Sequence, residues 1–194
     1  MADGHLPTLC NLAASLLLES LPQTRESRRA FIMNLGQFTE PKLLVPQLVN
    51  GWRDSVIYEL SRHLESAGRV ENAIAFTHAV LDHESLVSTV FDEVAFSLGR
   101  GKAVKELSFA LGLSSQGVRW GAGRTPIVHT VILFAVPILE GQPYDSLVLT
   151  FARFLKDGIA FSALRHCTQP GQMWTVLSHV CCVRTGSIAA SDQR

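Results

Sequence analysis

The chain has 194 residues, 47% hydrophobic and 18% charged, with Lys plus Arg and Asp plus Glu at 17 each. This composition excludes disorder, and a chain of this length buries roughly two-thirds or more of its unfolded surface without a metal or disulfide staple. The charge balance removes the basic character expected of a nucleic-acid binder.

Residues 1–35 read as an N-terminal helical extension, 36–182 as one domain and 183–194 as a flexible tail. In the extension, Leu9, Ala13, Leu16 and Leu17 lie on one helical face, Leu12 and Leu18 widen it, and Pro22 ends the run. A face this apolar must cover its own domain or a second copy, which makes the helix a candidate homodimer contact. No Lys or Arg precedes Leu9, and Glu19 interrupts the stretch to Leu21. It therefore lacks the basic start of a secretory signal and the roughly 20 apolar residues of a spanning helix. A cytoplasmic protein without membrane insertion is expected. Arg25, Glu26, Arg28 and Arg29 read as a solvated turn or helix start.

From about Met33 the pattern becomes α/β. Leu43 to Leu48 reads as a short strand, and Ser55 to Ala67 as a helix with Val56, Leu60 and Leu64 on one face and Gly68 as its stop. Val70 to Leu86 reads as a second helix, with His78 on its inner part, and Val94 to Phe96 as a small strand ending in the turn Gly99-Arg100-Gly101. Leu107, Phe109, Leu111 and Leu113 then alternate with Ser108, Ala110 and Gly112, a strand with one heavily packed face. Ile127 to Val136 is almost continuously apolar and ends at Pro137, the pattern of a central strand covered on both faces. Phe109, Leu111, Leu133 and Phe134 are the predicted heart of the core. Closing helices follow, one striped by Tyr144, Leu147, Val148, Phe151 and Leu155, the others at Ala160–Cys167 and Met173–Val180. The sum is a three-layer α/β/α sandwich with a mixed central sheet.

Cys10, Cys167, Cys181 and Cys182 form no CxxC and no Cys/His spacing that suits zinc, so buried reduced thiols are expected, with no metal and no cofactor. There is no Ser-His-Asp order, phosphate-binding glycine loop or pair of carboxylates.

Several segments taken together resemble a known family. TEPKLLVPQLVNGWRDSVIYELSRHLESAGRV is similar to the opening strand and first helix of type 2 enzyme IIA domains of the sugar phosphotransferase system, the mannitol, fructose and nitrogen-regulatory class. VLDHESLVST resembles that family's arginine-glutamate helix end and the Ser-Thr after it. VAFSLGRGKAVKELSFALGLSSQGVRW resembles the segment written in the family as Ala, a hydrophobe and Pro-His, then a strand and a Gly-Val-x-Trp turn. VILFAVP and YDSLVLTFARFLKD resemble the strand that closes the site and the helix after it. The likeness runs from about Gln37 to Val180. It implies the fold of the phosphotransferase and anion-transporter type and a chemistry in which a histidine passes a phosphoryl group onward while an arginine steadies its charge.

In this register the resemblance puts Ser97-Leu98 at the Pro-His place and His83-Glu84 at the arginine-glutamate place, so the phospho-accepting histidine is replaced by leucine. The implied function is an enzyme IIA-like protein that carries no phosphoryl group and binds protein partners, relatives of phosphocarriers or transporter components. A second register makes His78, at the end of AIAFTH, the nucleophile with Arg62 as its cation. An active phosphocarrier using His83 or His78 is thus one alternative. A module binding an anion or small ligand is another, with Arg100, His83, Ser88 and Thr89 as candidate contacts. His129, His166 and His179 read as structural, and Trp120 as packing over an end of the core.

Overall fold

A computed structural model of the chain describes residues 32–86, 90–121, 126–138 and 142–183. The helix expected at 9–21 and the tail beyond 183 lie outside the described residues. The chain opens with β1 (Ile32–Asn34), two short 3-10 turns (Leu35–Phe38 and Pro41–Leu43) and β2 (Leu44–Val45). Two helices follow, α1 (Arg53–Ser66) and α2 (Ala73–Leu86), then β3 (Val90–Phe91), β4 (Val94–Gly101), β5 (Ser108–Arg119) and β6 (Ile127–Pro137). The C-terminal part is α3 (Gln142–Lys156), α4 (Gly158–Arg165), α5 (Pro170–Ser178) and β7 (Cys181–Val183).

α1 buries Val56, Ile57, Leu60 and Leu64, the face its sequence announces, and ends where Gly68 takes φ +73, a conformation costly for any residue with a Cβ. α2 starts at Ala73, later than the expected Val70. The Asn72 side chain caps it by accepting from the Ala75 N–H at 2.8 Å, and Val70 instead bridges to Val104.

The five-stranded sheet has the order β2-β5-β6-β4-β3, and β6 is its centre, as its unbroken apolar run implies. β4 runs parallel to β6, β5 antiparallel to β6, and β2 parallel to β5, so the sheet is mixed. β3 and β4 form a hairpin whose two loop residues, Asp92 and Glu93, both have positive φ, as the tightest hairpin turn requires. A separate antiparallel pair, β1 with β7, joins Ile32–Asn34 to Cys181–Val183.

Two sequence-predicted turns prove to be strand. Gly99-Arg100-Gly101 continues β4 and pairs with Ala135–Pro137. Gly117 has φ +80 within a register shift of β5, but pairing with β6 resumes at Val118 and Arg119, and only Trp120 lies beyond the strand. Glycine suggested reversal in both places, whereas at Gly99 it permits close approach. A Cβ there would lie 2.3 Å from Phe76 Cε2 and 2.8 Å from Val80 Cγ2, so α2 packs flush on the sheet only because the side chain is missing.

The sheet separates two cores, which completes the expected three layers. One face carries Ala95, Ala110, Val131 and Leu133 under α1 and α2. The other carries Phe109, Leu111, Ile132 and Phe134 under Leu147, Phe151, Phe154, Leu164, Met173 and Leu177 of the last three helices. Phe109, Leu111, Leu133 and Phe134 are buried on adjacent strands, as the alternation predicts. No helix among the described residues is long and apolar enough to cross a membrane.

Candidate functional site at the carboxyl end of β4

Side chains of a strand alternate between its faces, and on β4 this parity decides which groups meet. Ser97 and Gly99 face α2, whereas Phe96, Leu98 and Arg100 face α3.

On the α2 side, the Ser97 hydroxyl donates to Glu84 Oε1 at 2.8 Å and the Trp120 indole N–H donates to Glu84 Oε2 at 3.2 Å. All three residues are buried. A buried carboxylate is tolerated only when donors replace its water, and here α2, β4 and the end of β5 each contribute a part. The expected burial of Trp120 holds, and its indole N–H is spent on this network. His83, the neighbour of Glu84, is partly buried, and its Nδ1 has no hydrogen-bond partner among the described residues.

On the α3 side, Phe96 stacks on Phe134 with centroids 6.3 Å apart, and the partly buried Leu98 packs against the same aromatic cluster. Arg100 is exposed, its guanidinium 5.8 Å from the centroid of Tyr144 in the first turn of α3. The Tyr144 ring meets Phe134 edge-on at 5.7 Å. Burial pushes the Tyr144 phenol above its ordinary value, Arg100 opposes the shift, and Asp145 adds to it. Arg100 and Tyr144 together set a cation and a hydroxyl beyond the carboxyl ends of the parallel strands β4 and β6, the region where sheets of this kind hold ligands. Leu98 offers no lone pair there.

The residues expected around one cleft are thus divided by the sheet. Leu98 and Arg100 lie on the α3 side, Glu84 lies on the α2 side with His83 beside it in sequence, and Ser88 and Thr89 lie outside the described residues. His78 is exposed on α2 rather than on the helix's inner face, because Phe76, Thr77 and Val80 are the residues turned inward. Arg62, also exposed, lies on α1 next to Tyr58, whose hydroxyl raises the guanidinium pKa. His129 Nδ1 lies 2.8 Å from the Ser114 carbonyl, while His166 and His179 bond to carbonyls of their own helices. Cys167 and Cys181 are partly buried free thiols rather than fully buried ones, and desolvation raises the Cys167 pKa. Among the described residues no three His, Cys, Asp or Glu side chains are grouped to hold a metal.

Sequence reasoning missed Ser97 and Trp120 as partners of Glu84, and Tyr144 as the partner of Arg100. Strand parity would have separated residues 97 and 98, once Gly99–Gly101 was read as strand.

A mixed sheet between helical layers, with polar groups at the carboxyl ends of two parallel strands, defines an α/β domain built to present a site at its sheet edge. The model of the phosphoenolpyruvate-dependent sugar phosphotransferase system EIIA 2 family matches residues 37–180, and the chain belongs to that family. It is 28% identical over 149 residues to the 2-O-α-mannosyl-D-glycerate-specific EIIABC component of Escherichia coli K12, covering 75% of this chain but only 23% of that protein's length. Solved structures with the same fold include the nitrogen regulatory protein IIA-Ntr of Neisseria meningitidis, with TM-score 0.61 and 16% identity over 73% of this chain and 97% of that one. IIA mannitol of Escherichia coli gives TM-score 0.60 and 21% identity over 72% and 98%. A complex of Escherichia coli enzyme IIA-Mtl with phosphorylated enzyme IIB-Mtl gives 0.61 and 22% over 72% and 96%.

Proposed function

We propose that this chain is a cytoplasmic enzyme IIA-type module that binds protein partners of the sugar phosphotransferase system without itself carrying the phosphoryl group. The supporting observation is the composition of the β4 end. If the register that aligns Ser97-Leu98 with the family's Pro-His is right, the accepting position carries a leucine packed on an aromatic cluster, and an alkyl group cannot accept phosphorus. The side chains that share its face are Phe96 and Arg100, neither of them a phosphate acceptor. His78 and Glu84 belong to the helix on the other face of the sheet. The partners implied are relatives of the phosphocarriers and transporter components, by analogy with the mannitol protein, which forms a complex with its phosphorylated enzyme IIB.

A second reading, an anion-binding module, draws on Arg100. Among the described residues its guanidinium has no carboxylate within ion-pair distance, and it lies over an aromatic ring beside a hydroxyl. This is compatible with the first reading, since a site stripped of its nucleophile can still hold a phosphate borne by a partner.

Incubation with phosphoenolpyruvate and the general carrier proteins is the direct test. No acid-labile phosphohistidine is expected on the unmodified chain. Label that disappears in His78→Gln would establish the other register, and label that disappears in His83→Gln would make the protein an active phosphocarrier. Either result ends the proposal.

A further inference from the structure

The edge strand β3 and helix α3 enclose a groove of about 240 Å³, lined by Phe91, Phe96, Val148, Ala152, Leu155 and Lys156. Its walls are apolar, and Phe91 is 58% exposed at its lip. β3 is the last strand of the sheet, so no further strand of the sheet covers the groove on that side. Open apolar surface of this kind marks a contact.

We infer that the groove is the seat of the chain's own segment Leu9–Leu21, bound through the apolar face of Leu9, Ala13, Leu16 and Leu17. The chemistry matches: the segment offers an apolar stripe with a single charge, Glu19, and the groove offers apolar walls with a single charge, Lys156. The sizes match too. A helix of thirteen residues is roughly 20 Å long, close to the 15-residue α3 it would lie along. The connection also permits it. β1 pairs with β7, and β7 packs against α3, so the chain enters the described fold beside the helix that forms one wall of the groove. Residues 22–31 then span up to about 33–36 Å when extended, ample to reach the groove's far end.

The consequence is functional. Phe96, in the groove wall, precedes Leu98 and Arg100 on the same face of β4. A segment seated on Phe96 borders the candidate site, and a partner that needs this apolar surface has to displace it. The segment acts as an intramolecular cover. This inference does not depend on whether any histidine is phosphorylated.

The test uses the full chain with its four native cysteines changed to serine and a new pair, Ala13→Cys with Ala152→Cys. Mild oxidation at low micromolar concentration is expected to link the pair within one chain. A control pair, Ala13→Cys with Ile159→Cys on the exposed side of α4, should link at least tenfold more slowly. In the otherwise unmodified chain, amide exchange over residues 9–21 should be slowed at least tenfold, and Ala152→Glu should abolish that protection while leaving β5 and β6 protected. Cross-links formed only between two chains would assign the segment to a second copy and overturn the inference. Equal linking at Ile159, or exchange at the unprotected rate over residues 9–21, would overturn it as well.

Discussion

The two sides of the sheet at β4 solve different problems with the same strand. Towards α2, the helix lies so close that a glycine is needed at Gly99, and a buried carboxylate is matched by a hydroxyl and an indole N–H drawn from three elements. Towards α3, contact is made by rings, Phe96, Phe109, Phe134, Phe151 and Tyr144, and the strand ends in an exposed arginine. The first side is fixed in geometry by hydrogen bonds and close backbone approach. The second is fixed by packing and opens to solvent at its end. A partner therefore meets adaptable apolar and cationic surface on the α3 side, while the α2 side holds β4 at its position and angle.

Substitutions can separate these two roles. The largest effect is expected at Phe109, whose ring is fully buried and meets Phe151 edge-on at 4.9 Å. Phe109→Ala should cost about 3–5 kcal/mol in denaturant unfolding, as large-to-small changes in a core do when the cavity cannot collapse. A loss under about 1 kcal/mol would show that the α3 side is held by something other than its rings. Gly99→Ala should cost about 1–3 kcal/mol by overpacking, because its Cβ would meet the Phe76 ring. Phe76→Leu should recover part of that cost in the double variant, and simple additivity would argue against the close contact. Glu84→Ala leaves the Ser97 and Trp120 donors without their acceptor, a desolvation penalty of about 1–3 kcal/mol. Glu84→Gln keeps an acceptor and should cost less. Equal losses in the two variants would mean that the network does not restrain β4.

Much of the fold was legible because hydrophobic periodicity reports burial directly. The alternation from Leu107 to Leu113 and the unbroken run from Ile127 give β5 and β6, including their buried rings. The family segments place these strands among the helices. The site was less legible. Reading Gly99-Arg100-Gly101 as a turn concealed the strand parity that sends Ser97 and Leu98 to opposite faces. The Glu84 network joins residues 13 and 36 positions apart in sequence, and no local pattern announces such a contact. Asp92 and Glu93 lack the glycine that usually signals a two-residue hairpin turn, so β3 had no marker. The pairing of Arg100 with Tyr144 depends on how α3 returns over the ends of β4 and β6, a tertiary relation that helical stripes alone do not encode.

The smallest predicted effect lies at the open end of the α3 side and concerns pH. In the unfolded chain Tyr144 ionises near its ordinary value of 10.0, and burial raises that value in the folded protein. Well below 10 the phenol is neutral in both states and contributes no pH dependence. As the pH rises past 10 the unfolded state releases the proton first, so folding stability falls through the interval up to the folded value. Tyr144→Phe removes this component. The stability difference between the unmodified protein and Tyr144→Phe should therefore be constant from neutral pH to about 9 and then shift in favour of phenylalanine. Because Arg100 is the group that lowers the phenol pKa against burial, Arg100→Gln should make the alkaline loss steeper while leaving Glu84 and its donors untouched. Asp145 works in the opposite sense, and Asp145→Asn should make the loss shallower. If Arg100→Gln leaves the alkaline profile unchanged, the guanidinium does not stand over Tyr144 in solution, and the α3 side loses the cation that makes it a candidate for a phosphate-bearing partner.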